Sequence, residues 1–158
     1  MIDKALLNTF EPFRHIAGIQ PGIHRLDEVI EFLDEPEGVE LQLDDNEKTS
    51  GSIILRYPSR GLSFLVVFGP EHPENPIIDC VWLESPFSGT SRQGMRLGMG
   101  DQECRGLCNT HYYIASDYED FSFVAPTKKE EDDDDLQLWF ESGKLVRIKL
   151  FRGTVPVN

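Results

Sequence analysis

The chain has few basic residues for its length, and this shortage narrows the partners it can take. Its 158 residues include 15 Lys and Arg against 28 Asp and Glu, which leaves a formal net charge of -13. Binding to nucleic acid or to an anionic membrane surface requires clustered basic side chains. The composition therefore speaks against nucleic acid and membrane as partners. It permits a basic protein partner, because opposite charges speed association.

Cysteine is also scarce, and long apolar runs are missing. Three cysteines provide no framework of paired disulfides, a pattern that is typical of a reducing compartment. No stretch reaches the roughly 18 apolar residues of a membrane-spanning helix. The first residues, MIDKALLNTFEPFRH, show no basic segment followed by an apolar one, as a signal peptide would. We therefore expect a cytoplasmic protein.

Sequence patterns that carry catalysis are missing as well. The glycines between Gly94 and Gly106 do not form Gly-x-Gly-x-x-Gly, and no Gly-x-Ser-x-Gly elbow occurs. The four histidines, at positions 15, 24, 72 and 111, are scattered and lie near no nucleophile motif. We expect a protein that is not an enzyme and needs no cofactor.

Two alternatives to a protein-binding function remain open at this point. Cys104 and Cys108 lie one helical turn apart, and together with Cys80 and His111 they could bind zinc in a structural site. Their spacing is not Cys-x2-Cys, so buried apolar thiols are the simpler interpretation, and we expect no metal. The other alternative is a small-molecule or lipid-binding accessory module with an apolar pocket between helix and sheet.

The periodicity of apolar residues predicts an α+β fold. In the first half, an amphipathic helix is expected over Asp3 to Phe13 and a second over Ile23 to Leu33. Period-two alternation then predicts a half-buried strand in which Val39, Leu41 and Leu43 face inward. Three further strands are expected over Ser52 to Tyr57, Leu62 to Phe68 and Ile77 to Glu84.

The same order of elements is predicted again after a Ser-, Gly- and Pro-rich connector at 85–94. A short helix over Asp101 to Cys108 is followed by four strands, at Tyr112 to Ala115, Phe121 to Ala125, Leu136 to Glu141 and Leu145 to Phe151. We therefore predict two tandem helix-plus-antiparallel-sheet repeats, with residues 1–84 as the first and 95–158 as the second.

Weak internal similarity supports the repeat. The positions that keep the same spacing are Ile19, Gly22 and Ile23 against Met95, Gly98 and Met99, and Val29 and Leu33 against Cys104 and Cys108. Because these matches occur in the same order in both halves, they favour a duplicated unit.

The segment Gly94 to Met99, with Glu103 and Cys104, resembles the "GIxLGMSxxEV" start of the helix in β-lactamase-inhibitor-protein-like repeats. Small outer-membrane lipoproteins of similar fold share this motif. The resemblance implies paired helix-and-sheet repeats and a sheet surface that is available to a partner. The chain departs from the family in its N-terminus and cysteines, and Pro21 to His24 replace the motif in the first copy. Export and β-lactamase inhibition are therefore not expected to carry over.

The alternation of side chains along two predicted strands identifies a candidate binding face. In the strand Leu136 to Glu141, alternate residues point in opposite directions, and the next strand behaves likewise. The residues expected to face inward are Leu136, Leu138, Phe140, Val146, Ile148 and Leu150. The residues expected on the outer face are Gln137, Trp139, Glu141, Arg147 and Lys149, together with Trp82 and Glu84 of the earlier strand. An exposed Trp on a polar face is typical of a binding hot spot. Cover by the other repeat or by the N-terminal helix is the alternative.

A run of acidic residues precedes Leu136. It includes Glu130, Glu131, Asp132 and Asp133 and continues to Asp135. Calcium loops alternate their ligands around a turning Gly, and neither feature is present here. A solvated loop is the plain interpretation, and electrostatic attraction of a basic partner is the functional one.

Together these features favour a non-catalytic inhibitor that binds another protein. A small acidic chain without a catalytic motif, with an aromatic sheet face, would suit an immunity protein that neutralises a bacterial toxin in the cytoplasm. Toxins that attack nucleic acid tend to be basic, so an acidic chain would complement such a toxin domain in charge.

Overall fold

The computed structural model describes residues 1–44, 47–70, 75–117, 121–126 and 136–152, and side chains are described outside 47–48 and 109–126. The elements, in chain order, are a 3-10 turn (Lys4–Leu6), β1 (Phe10–Glu11), β2 (His15–Ile16), α1 (Leu26–Leu33), β3 (Gly38–Asp44), β4 (Glu47–Tyr57), β5 (Leu62–Phe68), β6 (Ile78–Glu84), α2 (Asp101–His111), β7 (Tyr112–Asp117), β8 (Phe121–Pro126), β9 (Leu136–Glu141) and β10 (Lys144–Phe151). The α+β class is confirmed, with sheet as the dominant element.

One antiparallel sheet of eight strands organises the chain. Its strand order is β3-β4-β5-β6-β10-β9-β8-β7, so β6 and β10 lie side by side at its centre. Each set of four consecutive strands forms a meander, and α1 precedes one set while α2 precedes the other. The central pairing aligns Trp82 with Lys149 and Glu84 with Arg147. Residues 80 to 84 of one half therefore contact residues from the end of the other half.

The main core covers one face of this sheet, which we call the inner face. A row of directly opposed residues crosses five strands there, namely Leu55, Phe64, Val81, Leu150 and Leu136. All five belong to one buried cluster, which also contains α1 and α2 side chains. The helices contribute Val29 and Leu33 from α1, and Cys104 and Cys108 from α2. Burial of this apolar surface is the main stabilising contribution to the fold.

The N-terminal segment differs from the predicted helix over Asp3 to Phe13. Asp3 does cap a helical turn, since its carboxylate accepts a hydrogen bond from the Ala5 amide at 2.9 Å. The turn ends at Leu6, and Phe10 begins a short strand instead. Pro12 explains the change, because proline lacks an amide hydrogen and disfavours helical backbone in the residue before it. Phe10 and Phe13 are buried in the core all the same.

The helix predicted from Ile23 is shorter than expected. It starts at Leu26, and the Glu28 side chain accepts a hydrogen bond from the Arg25 amide at 3.1 Å. Ile23 lies outside it and is 44% exposed. Throughout the part of the chain that the structure describes, no helix is long and apolar enough to span a membrane.

The strand β3 forms where alternation predicted it, but its apolar side chains are not half-buried. Val39, Leu41 and Leu43 are 62%, 57% and 49% exposed. They point to the inner face, opposite Leu55 and Ile53 of β4. Because β3 is the edge strand and, among the described strands, pairs with β4 alone, the core does not extend over it. The prediction of a buried strand face was wrong here for that reason.

Candidate functional site

The outer face of the sheet holds most of the residues that parity selected as a binding surface. Directly opposed residues of neighbouring strands share a face. The register therefore places five residues in one row across the sheet, namely Arg56, Ser63, Trp82, Lys149 and Gln137. A second row contains Glu84, Arg147 and Trp139. The first row lies one residue along each strand from the buried inner row.

Trp139 lies on the outer face, as the alternation in β9 predicts. Its neighbours Leu136 and Leu138 are each 1% exposed on the inner face, and Trp139 itself is half-buried. The indole Nε1 donates a hydrogen bond to Gln137 Oε1 at 3.2 Å. The Arg147 guanidinium lies 5.7 Å from the centre of the ring. Trp139 is therefore held in place from two sides while part of it stays accessible.

Strand β10 contains a bulge that sequence alternation did not reveal. Leu145 pairs with Phe140 and Arg147 pairs with Trp139, so Val146 is the extra residue between them. Leu145 is 1% exposed, whereas Val146 is 36% exposed. The prediction that Val146 faces inward was wrong, because a bulge shifts the residues on one side of it by one position. The outward direction of Arg147 is unaffected.

Trp82 lies on the outer face but is not the exposed aromatic residue that we expected. Only 7% of its surface is accessible. It is buried with Ile54 and Cys80, and Leu65 and Phe151 pack against these three residues. We call these five residues the outer cluster. Its members come from four neighbouring strands. The alternation of side chains along β9 and β10 alone could not predict that these residues meet.

The cations of the outer face differ in their pairing. Arg56 forms an ion pair with Glu40 at 2.7 Å, and Arg147 forms one with Glu84 at 2.9 Å. Lys149 has no carboxylate within 4 Å among the described residues, and its Nζ lies 5.2 Å and 5.3 Å from the ring centres of Trp82 and Trp139. Burial lowers the pKa of Lys149. The predicted residue Glu141 is exposed at the end of β9.

A depression of about 360 Å³ opens over the outer cluster. Its walls combine the apolar side chains of the cluster with polar ones, namely Arg56, Asp79, Arg147 and Lys149. The Cys80 thiol at its base is 5% exposed, and burial raises its pKa to about 12. Since a thiolate is the reactive form of cysteine, this thiol is a poor nucleophile at neutral pH. The depression can hold a side chain by apolar and charged contacts.

Sequence reasoning missed Arg56, Ile54 and Leu65 as parts of this surface. The position of Arg56 could have been predicted from the hairpin between β4 and β5, because its turn at Pro58 to Gly61 sets Arg56 opposite Ser63. The contact with Lys149 had no such local signal, since β6 and β10 are far apart in the chain.

The three cysteines considered for a zinc site do not come together. Cys80 belongs to the outer cluster, whereas Cys104 and Cys108 are buried in the main core. The thiols of Cys104 and Cys108 share a hydrogen bond, which with burial raises the pKa of Cys104. Within the described residues, no three His, Cys, Asp or Glu side chains are grouped to hold a metal ion. The side chain of His111 lies outside the described part.

The acidic run that was expected to attract a partner lies outside the described residues. This applies to Glu130, Glu131, Asp132 and Asp133, and to the rest of the run up to Asp135. Its role as an electrostatic attractant therefore stays a prediction.

Comparisons with known proteins assign no family to the chain. No family model, no curated protein and no solved structure matches it. The resemblance to β-lactamase-inhibitor-protein-like repeats therefore stays a prediction.

Proposed function

We propose that the protein is a non-catalytic inhibitor that binds another protein through the outer face of its sheet, as an immunity protein does when it neutralises a bacterial toxin in the cytoplasm. The observation that carries this proposal is the half-buried Trp139 of β9, which lies beside Arg147 and Lys149 of the central strand β10. Trp and Arg are the side chains most enriched in binding hot spots.

The composition of the outer face supports a protein partner. An apolar centre, the outer cluster, is surrounded by paired charges such as Arg56 with Glu40 and Arg147 with Glu84. Protein interfaces commonly have this arrangement, with an apolar centre that excludes water and a polar rim. The net charge of -13 would also steer a basic partner toward the molecule as a whole.

We further propose that the chain consists of two tandem helix-plus-sheet repeats, 1–84 and 95–158, joined by the connector at 85–94. The support is the strand order, in which two meanders meet through their last strands. Val29 and Leu33 of α1 and their predicted counterparts Cys104 and Cys108 of α2 are all at most 3% exposed in one core. In such a duplicated fold the outer face at β6 and β10 is built by both units.

Copurification from the native cell tests the inhibitor proposal. The affinity-tagged chain should retain one protein in stoichiometric amount, and that protein's toxicity should be suppressed when both are co-expressed. Trp139→Ala should weaken both effects, while the matched control Val39→Ala, an exposed residue of the edge strand β3 that points to the inner face, should not. Absence of a stoichiometric partner under every growth condition would count against the proposal.

A further inference from the structure

Lys149 is in an unusual position for a cation in an acidic protein. It lies at the centre of the sheet, half-buried on the outer face between the rings of Trp82 and Trp139. Each neighbouring arginine has its own carboxylate, Glu40 for Arg56 and Glu84 for Arg147. Among the described residues, Lys149 has no carboxylate within 4 Å, although the chain has 28 acidic residues.

A partly desolvated ammonium without an anionic partner favours an incoming anion. Removal of a charge from water is unfavourable unless hydrogen bonds and opposite charge replace the lost hydration. The two indole rings supply part of this stabilisation through cation–π contacts, but they accept no conventional hydrogen bond from Nζ. The donors of the ammonium therefore remain available to a carboxylate that enters the depression.

We propose that this depression binds an acidic side chain of the protein partner, whose carboxylate pairs with Lys149 between Trp82 and Trp139. The apolar part of the same partner segment covers the outer cluster. This inference rests on the proposed function and adds the chemistry of the contact. It also changes the expected partner, since a segment that docks here is locally acidic even if its domain as a whole is basic.

A single carboxylate fits the site better than a polyanion. Among the described residues of the depression, Arg56 and Arg147 are already paired, which leaves Lys149 as the cation without a carboxylate. A nucleic acid would need several free cations, and the net charge of -13 repels it. The surrounding apolar side chains favour a ligand that brings one charge together with apolar surface.

Intrinsic fluorescence gives a direct measurement, because the two tryptophans of the chain, Trp82 and Trp139, both flank Lys149. The probes are a capped pentapeptide of sequence GEFEG and its neutral counterpart GQFQG, titrated into the full-length protein. The acidic peptide should bind with a dissociation constant at least about tenfold lower, the size expected for one hydrogen bond to a charged group. Inorganic phosphate at the same concentration should leave the signal unchanged.

Substitutions locate the effect. Lys149→Met should abolish the preference for GEFEG, and Lys149→Glu should reverse it in favour of GKFKG. The matched control Lys144→Met removes an exposed cation of the same strand outside the depression and should leave the preference intact. Circular dichroism verifies that each variant is folded.

Three outcomes would overturn the inference. These are equal binding of the two peptides, no binding of GEFEG at about 1 mM, and an equal response to phosphate, which would show a general anion site. None of them depends on isolation of the native partner, so they are distinct from a failure of the inhibitor proposal, which copurification decides.

Discussion

The two faces of the eight-stranded sheet are built from adjacent residues of the same strands, yet they are covered differently. On the inner face, Phe64, Val81 and Leu150 are fully buried beneath helices and the N-terminal segment. On the outer face, one residue away, Ser63, Trp82 and Lys149 form a row in which Trp82 packs into the smaller outer cluster and Lys149 stays half-buried beside an open depression. The inner face therefore holds the main core, whereas the outer face holds a smaller cluster with half-buried charged and aromatic side chains at its edge.

Substitution of Phe64 by Ala should have the largest effect on stability. Phe64 is completely buried at the centre of the inner row, so the truncation leaves a cavity in the main core. We expect a loss of about 3 to 5 kcal/mol in the free energy of unfolding, measured by urea denaturation. Phe64→Leu is the graded control and should lose less. A loss under about 1 kcal/mol would show that the inner face is not the main core.

Substitution of Trp82 by Ala should cost less than Phe64→Ala although Trp is the larger residue. Its cluster has three buried members among the residues that the structure describes, and the long side chain of Lys149 can fill part of the space. We expect a loss of about 2 to 3 kcal/mol in the same urea experiment, below the usual range for a core Trp. If Trp82→Ala destabilised the protein as much as Phe64→Ala, the two faces would be equivalent cores.

Truncation of Trp139 should distinguish the two faces of the sheet, because it should weaken partner binding and leave the unfolding free energy nearly unchanged. It is half-buried on the outer face and its ring is flanked by Arg147 and Lys149. Trp139→Ala should weaken partner binding at least about tenfold, as expected for a hot-spot Trp. The unfolding free energy should fall by about 1 kcal/mol or less. Isothermal titration and thermal melts of the same variant decide this, and a large fall in melting temperature would assign Trp139 to the core.

The pH dependence of stability should arise from the N-terminal segment on the inner side. His15 Nδ1 accepts a hydrogen bond from the Gly18 amide at 3.1 Å, and His24 Nδ1 accepts one from the Gln20 amide at 2.9 Å. Burial lowers the pKa of both histidines. Both bonds require the neutral imidazole, because a protonated Nδ1 has no free lone pair.

The sign of this effect follows from linkage. Because the folded pKa of each histidine is below the unfolded value of about 6.5, the unfolded state binds more protons as the pH falls. Stability is complete above about pH 6.5 and decreases as the pH falls through the folded pKa values. Urea midpoints measured between about pH 7.5 and 5 should show this decline. His15→Gln and His24→Gln together should flatten it, whereas Trp139→Ala should not change its slope.

The bulge in β10 gives the smallest expected effect. Val146 is the extra, exposed residue, so Val146→Ala should change the unfolding free energy by no more than about 0.5 kcal/mol. Leu145→Ala, at the buried position beside it, should lose about 2 kcal/mol or more. If Val146→Ala destabilised the protein more than Leu145→Ala, Val146 would face the core and β10 would alternate regularly, as the sequence predicted.

Local alternation was sufficient to identify most of the strands. Strands β5 and β9 begin and end at the predicted residues, Leu62 to Phe68 and Leu136 to Glu141. The outward direction of Trp139 also follows from parity within β9. These features depend on the strand period of two, which a short stretch of sequence determines by itself.

Tertiary structure decided the features that depend on pairing between distant strands. The contact of β6 with β10 sets Trp82 beside Lys149, and no local pattern specifies that neighbour. The edge position of β3 left Leu41 exposed despite an alternation that resembles that of a half-buried strand. Within regular strands such as β9, the sequence by itself therefore determined which residues share a face. Tertiary structure decided where the alternation is interrupted, as at Val146 in β10. The order of the strands decided which faces are covered, because burial depends on neighbours that are remote in the chain.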